Sequence, residues 1–182
     1  MLNNEQKKLL LKIAKESLEY YLKEGKQKKF EVKDPVLTEK SGAFVTLKEF
    51  GQLRGCIGYI VAAKPLYETV AEMAISAGTK DPRFSPVKLE ELKDIMIEIT
   101  VLSPLKKINS IDEIEVGKHG IYIQKGFHSG LLLPQVATEY GWDKIEFLEN
   151  TCYKAGLPKD AWKEGADIYI FSGEVFSEED LN

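Results

Sequence analysis

Ala43-Phe44-Val45-Thr46-Leu47, then Lys48-Glu49-Phe50-Gly51, then Gln52-Leu53-Arg54-Gly55-Cys56-Ile57-Gly58: read in these three pieces, residues 43–58 decide the fold. A β-branched and aromatic run, a turn, and a return run continuing to about Val61 spell a β-hairpin. The return strand is unusual in carrying an arginine and a thiol between two glycines. Gly55 and Gly58 remove side-chain bulk where a ligand or another backbone comes close.

The flanking sequence supplies helices to cover this hairpin. Asn4 can cap a helix running to about Glu24, with Leu9, Leu10, Ile13, Ala14, Ser17, Leu18 and Tyr21 on one stripe and Gly25 as its stop. Lys33-Asp34-Pro35 leads the chain out extended. Pro65 opens a second helix with Leu66, Val70, Met73, Ala74 and Ala77 inward and Gly78 at its end. Asp81-Pro82-Arg83-Phe84-Ser85-Pro86 is a rigid loop, Leu89-Glu90-Glu91-Leu92 a helical turn, and Ile95, Ile97, Ile99 and Val101 mark an alternating strand.

The second half repeats the plan. Gly120–Lys125 and Gly130–Leu133 flank a turn at Gly126–Ser129, Pro134–Tyr140 is a helix stopped by Gly141, and a helix from about Lys144 to Ala155 stops at Gly156. Ala166–Val175 reads as one closing strand. The segments 42–55 (GAFVTLKEFGQLRG) and 119–132 (HGIYIQKGFHSGLL) match loosely, which suggests an internal duplication with Asn109–Val116 as a short connector. The expected organisation is one domain over residues 1–182, with internal halves of about 1–104 and 105–182.

Composition narrows the function classes. The net charge of −4 does not favour a nucleic-acid footprint, and Lys26-Gln27-Lys28-Lys29, flanked by Glu24 and Glu31, reads as a solvated helix exit. No apolar run approaches the ~18 residues of a membrane span, and Met1–Glu5 lacks a secretion-signal pattern. Two cysteines in separate motifs point to reduced thiols and a cytoplasmic protein. No Walker loop, G-x-G-x-x-G, H-E-x-x-H, G-x-S-x-G or Cys-x-x-Cys is present, and two histidines with two separated cysteines give neither a zinc site nor an iron–sulfur cluster. Neither a metal nor a cofactor is therefore expected.

Chemistry-bearing residues are few. Of 25 basic residues only Arg54 and Arg83 are arginine, so these two positions call for the planar fork that grips a carboxylate or phosphate, either in a ligand or in a structural ion pair. Cys56 is a nucleophile if a neighbouring charge or base stabilises its thiolate, and a small buried hydrophobe otherwise. His119, at the start of the second hairpin, is the candidate base, with Glu98 to orient it. Glu98 is equally a partner for Arg54 or Arg83, or a solvated residue. Gln135, at a helix start, can offer its amide to an anion. Cys152 falls on the core spacing of its helix, and His128 lies in an exposed turn.

The motifs GAFVTL, LRGCIG, DPRF, IEITVLSPL, HGIYI, LLLPQVATEYGWD and CYKAGL, in this order over nearly the whole chain, closely resemble the AMMECR domain family, called AmmeMemoRadiSam system protein A in prokaryotes. The resemblance implies an α+β fold of two related hairpin–helix–strand halves around a mostly antiparallel, barrel-like sheet, with an N-terminal helix. It implies partners, a Memo-like protein related to extradiol dioxygenases and a radical SAM protein, but no settled activity. Arg54, Gly55, Cys56, Ile57 and Gly58 match the family's signature; Asp81, Arg83, Phe84, His119, Pro134 and Trp142 match its other motifs. A purely structural scaffold, in which the motif holds a tight strand crossing, is one reading; two functional expectations stand beside it. One is an accessory component whose LRGCIG strand, with Gly55, Gly58, Arg54, Arg83, Glu98 and Gln135, holds an anionic small molecule or partner segment. The other is a cysteine-dependent acyl-transfer or hydrolase enzyme using Cys56 with His119.

Overall fold

Asn3, and not Asn4, opens the first helix. Its side chain accepts the Gln6 N–H while the Gln6 side chain accepts the Asn3 N–H, a reciprocal capping box that leaves Asn4 as the first helical residue. The computed structural model describes residues 1–181. Helix α1 spans Asn4–Glu24 and ends at Gly25 in the left-handed conformation (φ 70°). Its buried stripe is Leu10, Leu11, Ile13, Ala14, Ser17 and Leu18; Leu9 is turned outward and Leu11 takes its place.

Two compact units form, one from residues 1–102 together with the segment from Glu174 on, the other from Ser103–Gly173. The first contains β1 (Ala43–Glu49), β2 (Gln52–Tyr59), α2 (Leu66–Thr79) and β3 (Ile95–Leu102), and is completed by β8 (Gly173–Ser177), in a sheet of order β2-β1-β3-β8. Strand β1 is antiparallel to both neighbours. One face carries Ala43, Val45, Leu47, Ile95, Ile97 and Ile99, all buried against α1 and α2 residues such as Leu18, Val70 and Ala74. Strand alternation puts Phe44, Thr46 and Lys48, with Cys56, Gly58, Met96, Glu98 and Thr100, on the other face.

The second unit holds β4 (Lys106–Lys107), β5 (Gly120–Lys125), β6 (His128–Leu132), α3 (Pro134–Tyr140), α4 (Lys144–Lys154) and β7 (Asp167–Phe171), with sheet order β4-β7-β5-β6. Ile121, Ile123, Ile168 and Ile170 pack with Phe147, Leu148 and Cys152 of α4. Among the described residues no helix is long and apolar enough to cross a membrane.

The α+β class and the largely antiparallel pairing agree with expectation, but among the described residues no barrel closes: they form two four-stranded sheets. The apparent single strand 166–175 is two strands, β7 and β8, that belong to different sheets. Alternating residues on both sides of Ser172 hide the break. There Ser172 leaves the ladder, donating its N–H to Ser103 Oγ and accepting the Ser103 N–H. Gly78 also departs from its expected place: it sits inside α2, which runs on to Thr79, because a side chain there would strike Leu18 of α1. Both hairpins use two-residue turns of different kinds. Phe50 (φ 51°) and Gly51 (φ 76°) are both left-handed, whereas in the second hairpin Gly126 (φ 61°) comes first and Phe127 follows in ordinary conformation.

The two signature glycines have separate packing reasons. A Cβ on Gly55 would run into the Ala77 carbonyl oxygen, so α2 lies on the bare backbone of β2. A Cβ on Gly58 would first meet the ring of Phe44. Gly55→Ala is therefore expected to destabilise the fold by about 3 kcal/mol and Gly58→Ala by less, since a side chain yields where a helix backbone does not. Urea unfolding monitored by circular dichroism checks both; equal costs would contradict this packing.

Candidate functional site

A β-bulge shapes the LRGCIG strand. Leu47 faces Gly55 while Lys48 faces Leu53, so Arg54 is the extra residue and stands outside the ladder. Each of its three nitrogens donates a hydrogen bond. Nε and Nη2 donate to the two carboxylate oxygens of Glu91 (3.1 and 3.3 Å), Nη1 donates to the Ser85 carbonyl (2.9 Å), and Glu49 lies 3.7 Å away. With its side chain 13% exposed, Arg54 ties the 81–86 loop and the turn at Leu89–Asp94 to the strand. Glu91 also accepts the Lys88 N–H, and these bonds together hold its carboxyl below the ordinary range.

Asp81 pins the same strand from its open edge. Strand β2 is an outer strand of its sheet, and the alternation turns the Cys56 N–H and C=O away from β1. Asp81 accepts that N–H (3.0 Å), along with the backbone N–H, Nε and Nη2 of Arg83 (3.1, 3.0 and 2.8 Å). The Asp81 side chain is 2% exposed, and the Arg83 fork draws its carboxyl down to about 2. Arg83 remains 56% exposed, stacks against Phe84 with its guanidinium 5.4 Å from the ring centre, and brings Nη2 to 3.5 Å from the Cys56 carbonyl. Among the described residues its Nη1 has no hydrogen-bond partner.

Cys56 is partly buried beside this clamp. The Thr46 hydroxyl donates to its sulfur (3.2 Å), and Thr46 in turn faces Glu98, so Cys56, Thr46 and Glu98 form one row across three strands. Burial pushes the Cys56 thiol up, against smaller opposing effects of the Thr46 hydroxyl and Arg83. Glu98 pairs with Lys48 (3.2 Å), and with neither arginine. Both line a 450 Å³ groove with Met96, Asp94 and the hairpin tip at Phe50. Gly58 continues the outward-facing edge; among the described residues its N–H and C=O make no further hydrogen bond.

His119 and Gln135 lie in the second unit. His119 Nδ1 accepts the Glu115 N–H (3.0 Å), which places any ring proton on Nε2, and burial lowers its pKa. Gln135 is half-buried in the first turn of a seven-residue helix; its carbonyl accepts from Thr138. Cys152 is fully buried and His128 exposed. Among the described residues no cluster of His, Cys, Asp and Glu side chains is arranged to hold a metal ion.

Asp81 and Glu91 are the residues that sequence reading did not place at the site. The signal for Asp81 was present: Asp-Pro-Arg sets an acceptor two residues before a fork, a local turn in which a carboxylate caps backbone N–H groups. Nothing local pairs Glu91 with Arg54, which is 37 positions away.

The sequence matches the AMMECR1 family over residues 11–176. A Methanosarcina mazei protein is 43% identical over 99% of this chain and 95% of its own length, and a Methanopyrus kandleri protein 47% identical over 97% and 90%. The crystal structure of the uncharacterized protein PH0010 from Pyrococcus horikoshii superposes with a TM-score of 0.88 at 44% identity, covering 94% of this chain and 90% of that one. The chain belongs to the AMMECR1 family.

Asp81 gives the site a pH signature. Its folded carboxyl titrates near 2 against an ordinary 3.8, so it stabilises the fold fully above about pH 4 and loses that contribution as pH falls towards 2. Asp81→Asn is expected to cost about 2–3 kcal/mol at neutral pH, because it removes the buried charge on which the Cys56 and Arg83 N–H groups converge, and to flatten the acid limb of stability between pH 4 and 2. Urea midpoints across that range provide the measurement, and an unchanged acid limb would contradict it.

Proposed function

We propose that this AMMECR1-family chain is an accessory binding component working with a Memo-like and a radical SAM partner, and that it takes an extended, carboxylate-bearing segment of a partner on the open edge of the LRGCIG strand. The observation that carries this reading is the divided state of that edge. Asp81 and Arg83 close it at Cys56, whereas the Gly58 backbone two residues on is left to pair with a strand from outside. Arg83 then presents its remaining N–H groups to a partner carboxylate, pre-oriented by Asp81 at no further entropic cost. Tyr59 and Val61, 51% and 65% exposed, flank the edge with apolar surface. An anionic small molecule fits the same Arg83 edge.

The nucleophile reading of Cys56 has less support. A catalytic thiol needs a depressed pKa, and burial moves this one the other way. Arg54, two residues away, spends its charge on Glu91.

Titrating purified Memo-like and radical SAM proteins into this chain by calorimetry tests the proposal. Arg83→Lys keeps the charge, loses the fork, and should weaken the complex by about tenfold, while Cys56→Ser leaves it unchanged. Iodoacetamide labelling of Cys56 should show an apparent pKa above the ~8.5 of a free thiol. No complex with either partner, or indifference to Arg83→Lys, rejects the binding reading; fast labelling below pH 7 restores the enzyme.

A further inference from the structure

Between Lys26 and Lys33 the chain forms no helix or strand, and no backbone hydrogen bond is made there among the described residues. Side chains hold this strap instead. Lys28 Nζ lies 3.1 Å from Glu16 of α1 and 5.5 Å from the centre of the Phe30 ring, and Val32 packs on the core of the first unit. The strap thereby walls a 320 Å³ cavity against α1 and α2. Ala71 and Ile75 form an apolar floor, Phe30 and Tyr67 offer aromatic sides, and Lys29 and Lys64 stand at the rim.

The polar groups are distributed unevenly. Ser17, in the lining, already donates its hydroxyl to the Ala71 carbonyl, so it offers no donor to an occupant. The carboxylates that line the cavity are also engaged: Glu72 pairs with Lys64, and Glu68 accepts from the Tyr67 hydroxyl. Lys29 has no carboxylate partner among the described residues, and Lys64 retains two further N–H donors. Of the other lining groups, Lys28 pairs with Glu16 and Gln27 adds an amide, while Glu68 is bonded by the Tyr67 hydroxyl alone, so an occupant meets apolar and aromatic surface with Lys29 as the lining cation that lacks a carboxylate partner among the described residues.

We propose that this cavity binds a planar aromatic anion, with its ring on the Ala71–Ile75 floor between Phe30 and Tyr67 and its carboxylate or phosphate at Lys29 and Lys64. The volume lies at the lower end of the range of small-ligand sites, enough for a one- or two-ring compound. Lysine ammonium groups accept either head group, since as point charges they impose no planar geometry. No lining residue belongs to a strand, so this site stands or falls independently of the LRGCIG edge.

The test is an amide proton–nitrogen NMR titration of the full chain with 1-naphthoate and, separately, AMP. Saturable shifts confined to residues 27–30 and 64–75 and to the turn of α1 around Ser17, with dissociation constants on the order of 100 μM, are expected for at least one of them. The tighter of the two identifies the preferred head group. Inorganic phosphate and 1-naphthalenemethanol each supply half of the recognition and should bind at least about tenfold more weakly. Lys29→Glu, at an exposed position, should weaken the bound anion by more than about tenfold, and Lys26→Glu, on the same strap but outside the cavity, should leave it unchanged. Absence of saturable shifts up to about 5 mM with both anions, phosphate binding as tightly as AMP, or shifts on another surface would overturn the assignment.

Discussion

The constraint on which the first unit depends is at Gly55 of β2, where a Cβ would strike the Ala77 carbonyl oxygen of α2. Much of the site follows from it. Bare backbone under the helix lets α2 settle directly on the sheet, and the chain leaves α2 at Thr79, just before Asp81. The carboxylate consequently reaches the outer edge of the strand that α2 covers, where it meets the outward N–H of Cys56. A larger residue at 55 would lift the helix and carry Asp81 and Arg83 away with it. The glycine and the Asp-Pro-Arg loop, far apart in sequence, are two parts of one construction.

The arginines show how far composition alone can carry an argument. Two arginines among so many lysines mark positions that need a fork, and each indeed grips a carboxylate through two nitrogens: Arg54 on Glu91, Arg83 on Asp81. Their surroundings separate them. Arg54 is enclosed and bonded through all three of its nitrogens, whereas Arg83 is bonded along one edge and open along another. A buried acceptor with an exposed donor is how a protein fixes the direction of a charge while keeping it available.

Most elements were legible because their signals are local. The alternation of Ile95, Ile97 and Ile99, the left-handed glycines at 25 and 141, and the prolines at helix starts each specify structure within a few residues. What escaped was decided at a distance. Asn3 won the cap because Gln6 could reciprocate; Gly78 serves contact with Leu18 and so does not end its helix; and the division of 166–175 depends on Ser103, some 70 positions earlier. The bulge at Arg54 belongs to this group, since only the pairing with β1 reveals it. At the site, the glycines, the arginines and Cys56 could be singled out by type, but their partners Thr46, Ser85 and Glu91 are ordinary residues made important by topology.

Strand β8 has a consequence for the order in which the protein is made. The first unit begins at the N-terminus but is closed by residues from Glu174 on: Phe176 is buried in its core, and Glu174 accepts the Leu2 N–H and pairs with Lys7. The second unit is encoded in between. A ribosome therefore completes the later-starting unit first, while the earlier one waits with an open sheet edge beside β3 and an unfilled place for Phe176. Vectorial synthesis leaves the half that bears the LRGCIG strand to be sealed last.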